Sequence, residues 1–288
     1  MSLPETGPRS TSEPLAFDGD LPASREETGG QIAVEAKGLV KRYGVMTAVD
    51  GVSFQIKRGE IVGFLGANGA GKTTTLRMLC GLVTPTSGAA LIDGIDIFSD
   101  PLPAKARLGY LDEEPFVHQY LTGREFLNYI ADLYRMPRGP ERQQRMERLL
   151  GLFELADRNG ELIGAYSHGM RQKIGLASLL IREPSVLLLD EPTNGLDPRS
   201  ARLVKDLLEE LAARGTAVLL STHILEVAQA LCHRVAIIDH GKIVATGTME
   251  ELRAQTGSEK ASLEDLFLKL TAGPESKELI ERLLAPDL

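Results

Sequence analysis

Glu60-Ile61-Val62-Gly63-Phe64-Leu65-Gly66-Ala67-Asn68-Gly69-Ala70-Gly71-Lys72-Thr73-Thr74 is the stretch that decides the fold. After Glu60 it is almost continuously apolar up to Leu65, as a strand buried on both faces should be. A glycine-rich loop follows, and a helix is expected from about Lys72. Strand, loop and helix in that order form the βα unit of a parallel sheet. Gly66 to Thr73 matches G-x-x-x-x-G-K-[ST] at every specified position. Glycine lets the backbone curl until successive N–H groups converge on phosphate oxygens. The positive end of the next helix faces the same point. Lys72 is expected to reach the β- and γ-phosphates, and the Thr73 hydroxyl to ligate Mg²⁺.

Later segments repeat the buried-strand pattern at Val186–Leu189, Ala217–Ser221 and Val235–Ile238, with helices expected at Pro198–Ala213 and Ile224–Leu231. The first of these strands ends in Asp190-Glu191. The end of a buried strand is a poor place for unpaired charge, so two acids there point to a cation. Asp190 is expected to hold Mg²⁺ through water, and Glu191 to act as the general base on an attacking water.

Upstream, Ile32, Val34 and Ala36 alternate with polar residues, and Val49, Val52, Phe54 and Ile56 continue a β-rich opening. From about residue 115 to 165 the spacing turns helical, with Phe126, Leu127, Ile130 and Leu133, then Met146, Leu149, Leu150 and Phe153. This reads as a helical subdomain inserted into the core. The expected division is a disordered extension over 1–30, a nucleotide-binding unit over 31–255 and a helical tail over 256–288. In the tail, Leu263, Leu266, Phe267 and Leu270 share one face. Leu3-Pro4-Glu5-Thr6-Gly7 has the form of a sortase site but lacks the apolar anchor that should follow.

The bulk numbers narrow the function. The 288 residues carry a net charge of -8, which argues against a general nucleic-acid binder, because phosphate backbones are held by Lys and Arg. No stretch approaches the roughly 20 apolar residues of a membrane helix, and no secretory signal is visible. Cys80 and Cys232, the only cysteines, read as small core residues that fit a reducing cytosol.

Together these residues resemble the ATP-binding subunits of ATP-binding-cassette (ABC) transporters from about Ile32 to Leu270. The resemblance implies an α/β fold of the P-loop NTPase (RecA-like) type: a parallel sheet core, an antiparallel β subdomain and an inserted helical subdomain. The family signature Leu-Ser-Gly-Gly-Gln corresponds to Tyr166-Ser167-His168-Gly169-Met170, which keeps Ser167 and Gly169. Ser167 can cap a helix whose free N–H groups form an anion site. By resemblance, Ser167 and Gly169 act in trans, on ATP held by a second cassette. His223, in Ser221-Thr222-His223, takes the place of the switch histidine that contacts the γ-phosphate. Asn194-Gly195-Leu196-Asp197 corresponds to the loop that crosses the dimer seam. Tyr43 corresponds to the aromatic that stacks on adenine.

Besides His168 and Met170 in the signature, one departure from the family matters for the chemistry. The loop Gly109-Tyr110-Leu111-Asp112-Glu113-Glu114-Pro115 carries Glu113 where Gln is usual. Glu113 can accept from metal-bound water but lacks the amide donor. Glu113, the stretch His168-Gly169-Met170-Arg171-Gln172-Lys173 and the tail Leu263–Thr271 together resemble ABC-2-type exporters. The implied protein hydrolyses ATP with Mg²⁺ at the cytoplasmic face of the membrane and powers a separate transmembrane permease. Glu191, His223 and Ser167 are all present, so a homodimer is expected, with a mixed pair left open. The alternative is a soluble cassette ATPase that moves no solute, although ribosome-acting members usually join two cassettes in one chain. A chromosome-maintenance ATPase would carry a long coiled coil, and none lies between Lys72 and Ser167.

Overall fold

The structure is a computed structural model that describes residues 30–158, 160–257 and 261–271. The expected N-terminal extension up to residue 29 and the tail beyond Thr271 lie outside the described residues. Two long antiparallel strands come first, β1 (Ile32–Tyr43) and β2 (Met46–Lys57). Val34, Ala36 and Leu39 of β1 all face the core. A register shift between Ala36 and Leu39 turns Leu39 back to the buried side, as a bulge in a strand of period two does.

Next come β3 (Ile61–Leu65), α1 (Lys72–Leu79), β4 (Ser87–Ile92), β5 (Ile95–Asp96), α2 (Pro101–Arg107) and β6 (Leu108–Leu111). The helical insert holds α3 (Gly123–Leu133), α4 (Pro140–Leu152) and two short 3-10 turns, and leads into α5 (His168–Leu180). The chain then alternates through β7 (Val186–Asp190), α6 (Pro198–Ala213), β8 (Ala217–Thr222), α7 (Leu225–Leu231) and β9 (Arg234–Asp239). It continues with β10 (Lys242–Gly247), α8 (Met249–Thr256) and α9 (Leu263–Leu270).

Two sheets result, one antiparallel in the order β2-β1-β4-β5 and one in the order β10-β9-β3-β8-β7-β6. In the second sheet every pair is parallel except β9 with β10. All five residues of β3 and of β7 are buried. The period of two explains why both faces must be apolar. Val186 and Leu188 pack with Phe64, Leu76 and Met78 on the side of α1 and the antiparallel sheet. Leu187 and Leu189 pack with Ile174, Val204 and Leu208 on the side of α5 and α6. Gly109 to Leu111, read from the sequence as the start of a loop, pair with β7 as strand β6. Four residues are too few for a legible period, and the buried neighbour decides their state.

In the insert, Thr122 and Glu125 form a reciprocal capping box on α3. The buried Arg142 guanidinium of α4 donates to Asn128 O at 2.7 Å and to Asp132 Oδ1 at 2.6 Å. Burial pushes both the Cys80 and Cys232 thiols up to about 12, so neither forms thiolate readily. Among the described residues no helix is long and apolar enough to cross a membrane.

Candidate functional site

The loop between β3 and α1 is confined at both ends. A Cβ on Gly66 would sit 2.5 Å from Ile238 O, and one on Gly71 would sit 2.6 Å from Ala48 O. Gly71 also holds φ at 108°, a value that L side chains rarely adopt. Between these anchors Ala67, Asn68 and Gly69 are exposed, while Ala70 is buried and accepts from the Gly241 N–H at 2.9 Å. α1 begins at Lys72 with no side-chain cap, so its first N–H groups are available to an anion. Thr73 and Thr74 lie on its first turn.

Lys72 is only 7% exposed, and its Nζ donates to Gly66 O at 2.7 Å and Ala67 O at 3.2 Å. Burial pulls its ammonium below the usual lysine range, and the charges of Glu191, Asp190 and Glu113 oppose that pull. Three acids from two separate strand ends thus gather around one lysine. Asp190 Oδ2 accepts from the Thr73 hydroxyl at 2.6 Å, and Oδ1 accepts from the Ser221 hydroxyl. These oxygens suit a hard divalent cation. Among the described residues no group of three or more His, Cys, Asp and Glu could hold a metal, so phosphate and water oxygens would have to complete its shell.

Glu191 lies one residue beyond the aspartate and is 5% exposed. Its Oε1 accepts from the His223 N–H at 2.9 Å and from His223 Nδ1 at 2.7 Å, and its Oε2 accepts from the Thr222 hydroxyl at 3.1 Å. With the carboxylate as acceptor, Nδ1 is the donor in this contact. β7 and β8 are neighbours in register, with Asp190 opposite Ser221. That pairing brings the acid pair to the Ser221–His223 segment. Glu113 is exposed, and its Oε1 accepts from Asn194 Nδ2 at 3.3 Å.

Ser167, Gly169 and Tyr43 take no part in the hydrogen bonds just described. Ser167 caps α5 by accepting from the Met170 N–H at 3.3 Å. Gly169 packs on the Asn194–Asp197 turn, since a Cβ there would lie 2.9 Å from Gly195 O. Tyr43 is half exposed at the end of β1, with the Lys41 ammonium 5.0 Å from its ring centre. Ser221, Thr222 and Gln172 join the site without a role assigned to them from the sequence. Polar Ser221-Thr222 closing an apolar run was a signal for the first two. Gln172 gave none, because a glutamine within a helix is usually solvated.

The family pattern described as "ABC transporter" matches residues 49–194. The daunorubicin resistance ATP-binding protein DrrA3 of Streptomyces coeruleorubidus is 40% identical over 229 residues, covering 79% of this chain and 72% of that protein. The daunorubicin/doxorubicin resistance ATP-binding protein DrrA of Streptomyces peucetius is 40% identical over 256 residues, 89% of this chain and 76% of that protein. A solved ATP-binding subunit of an ABC transporter superposes with a TM-score of 0.79 at 34% identity, covering 83% of this chain and 100% of its own. A dimeric ATP-binding cassette in a post-hydrolysis state, bound to ADP and Pi, superposes at 0.69 with 27% identity, covering 75% of this chain and 98% of its own.

Proposed function

Since the chain belongs to the ABC transporter family of ATP-binding proteins, we propose that it works as one of two paired cassettes whose ATP hydrolysis drives a separate membrane-spanning export subunit. The observation that carries this reading is the buried Glu191 carboxylate, held by Thr222 and His223 beside Lys72 at the mouth of the phosphate loop. The export direction is supported by the drug-resistance relatives and by the His168–Lys173 signature. Pairing is supported by the dimeric neighbour and by the match of Ser167 and Gly169 to the family signature. A peripheral position on the cytoplasmic face of the membrane follows from work on such a subunit.

In this reading the amides of Gly66 to Thr74 and the end of α1 hold the triphosphate. Lys72 exchanges its two loop carbonyls for β- and γ-phosphate oxygens, a charge-assisted replacement. Thr73, Asp190 and Glu113 would hold Mg²⁺, which when bound neutralises charge on the β- and γ-phosphates. Tyr43 stacks on the adenine. Glu191 takes the proton of the attacking water. His223 can contact the γ-phosphate only if its ring is protonated or lets go of Glu191, because Nδ1–H is donated to that carboxylate. In the second case arrival of the γ-phosphate frees the base as it engages the histidine. Ser167 and Gly169 of the second cassette close over the γ-phosphate and stabilise the charge that develops there. ATP binds the closed pair better than the open one, which is why it drives closure. Product release reverses it, and the Glu113 loop and helical insert carry the motion to the membrane subunit.

The test is Glu191→Gln. It is expected to bind ATP, turn over at least about 100-fold more slowly and collect as a closed pair in light scattering with Mg-ATP. Hydrolysis at the parent rate would remove Glu191 as the base.

A further inference from the structure

One buried side chain joins the signature helix to the main chain of Glu191 in the same protomer. Gln172 lies on α5, about 7.5 Å along the helix axis from Ser167, and is fully buried. Its Nε2 donates to the main-chain oxygen of Glu191 at 3.3 Å. A carbonyl can only accept, so the orientation of the amide is determined. The same Glu191 oxygen accepts the Asn194 N–H at 3.0 Å, which occupies both of its lone pairs. Gln172 Oε1 has no partner among the described residues. The bond to Glu191 is therefore the polar tie that ordinary packing leaves unexplained. Glu191 itself holds φ at 47°, a conformation that a non-glycine residue keeps only when its surroundings enforce it.

We propose that Gln172 is a positioning residue that reports the occupancy of one ATP site to the base of the other. The inference rests on the paired-cassette reading. There, Ser167 at the head of α5 meets the ATP held by the partner, whereas Glu191 acts on the ATP in its own phosphate loop. Seating α5 on the partner's γ-phosphate moves Gln172 along the helix axis. Its other polar end has no partner among the described residues, so the displacement passes through hydrogen bonding to Glu191 only. The strained backbone of Glu191 then adjusts, and its carboxylate changes pose against Thr222 and His223. A second contact reinforces the path. The His168 ring lies against Gly195, and Gly169 packs on Gly195 O, so the signature turn and the Asn194–Asp197 turn move together. Asn194 ends that route on the same Glu191 oxygen. Each base is thus set by the nucleotide it does not hydrolyse, and hydrolysis waits until both sites are filled.

The experiment uses mixed pairs of full-length chains carrying two different affinity tags, isolated through both tags. One protomer bears Glu191→Gln, so a single site turns over. Gln172→Met removes the donor and the unpartnered oxygen while keeping an unbranched side chain of similar size. It is placed either on the protomer with the intact Glu191 or on its mate. The expected result is turnover about tenfold lower in the first arrangement than in the second. Gln172→Glu, which sets an acceptor against an acceptor, is expected to give the same order. Equal turnover in the two arrangements would overturn the proposal, and so would a dependence of turnover on ATP concentration as steep in the first arrangement as in the pair without Gln172→Met, because a local loss of packing lowers the rate without uncoupling it from the filling of the second site. Parent-rate hydrolysis by the Glu191→Gln homodimer would instead remove the base assignment, and this inference with it.

Discussion

Glu113 shows how one residue can be read from chemistry rather than from likeness. A glutamine is usual at its position in the family this chain resembles, and a carboxylate there adds negative charge beside Asp190 and Glu191. The buried Lys72 ammonium takes up part of that charge, since Glu113 is one of the three acids that favour its charged form. The contact from Asn194 Nδ2 needs only an acceptor, and an amide oxygen serves as well as a carboxylate. Glu113→Gln is therefore expected to keep ATP turnover within about a factor of ten of the parent, the scale of one hydrogen bond. A phosphate-release assay checks this, and an inactive variant would mean that the carboxylate has a role beyond accepting. The individual site residues were legible where the chemistry is local: Lys72 and Thr73 from the loop pattern, and Asp190 and Glu191 from charge at the end of an apolar strand. Gln172 was not, because its burial depends on what packs over α5.

At the scale of elements, α5 has two functions that one serine serves. Ser167 accepts from the Met170 N–H and so starts the helix, and the same helix end is the proposed anion site. Asp caps a helix about as well as Ser, but its charge opposes a phosphate. Ser167→Asp is therefore expected to hold unfolding stability within about 0.5 kcal/mol and to lose ATP-driven pairing. Thermal unfolding and light scattering in the Glu191→Gln background read the two effects separately. Pairing that persists would reduce Ser167 to a cap. Long or fully buried elements were easier to read than short ones in this chain. Pro198–Ala213 was expected and is observed, with Asp197 capping it at the Ser200 N–H. β6 was taken for a loop, because its strand state comes from pairing with β7 and not from its own four residues.

Across the whole molecule, the C-terminal helices complete a core that also buries Leu65, the residue that leads into the phosphate loop. Leu263 and Leu266 of α9 are fully buried with Leu252 of α8, Ala228 of α7, and Val235 and Ile237 of β9. α7 begins two residues after His223. Ending the chain after Gly257 exposes those contacts, and burial of two leucines stabilises by about 3–6 kcal/mol. Chemical denaturation is expected to show a loss of that order together with reduced turnover. Unchanged stability would make α9 an appendage.

The amino-acid sequence by itself determined the phosphate loop, the buried strand that leads into it and the acid pair, because turn chemistry and strand periodicity act between neighbours. Only the tertiary structure decided that Thr73 meets Asp190 across 117 residues, that Thr222 and His223 hold Glu191, and that Gln172 reaches its backbone. Those contacts follow from the strand order β3-β8-β7 and from the seat of α5 over it. That order comes from burying both faces of one sheet at once, which no local stretch of sequence encodes.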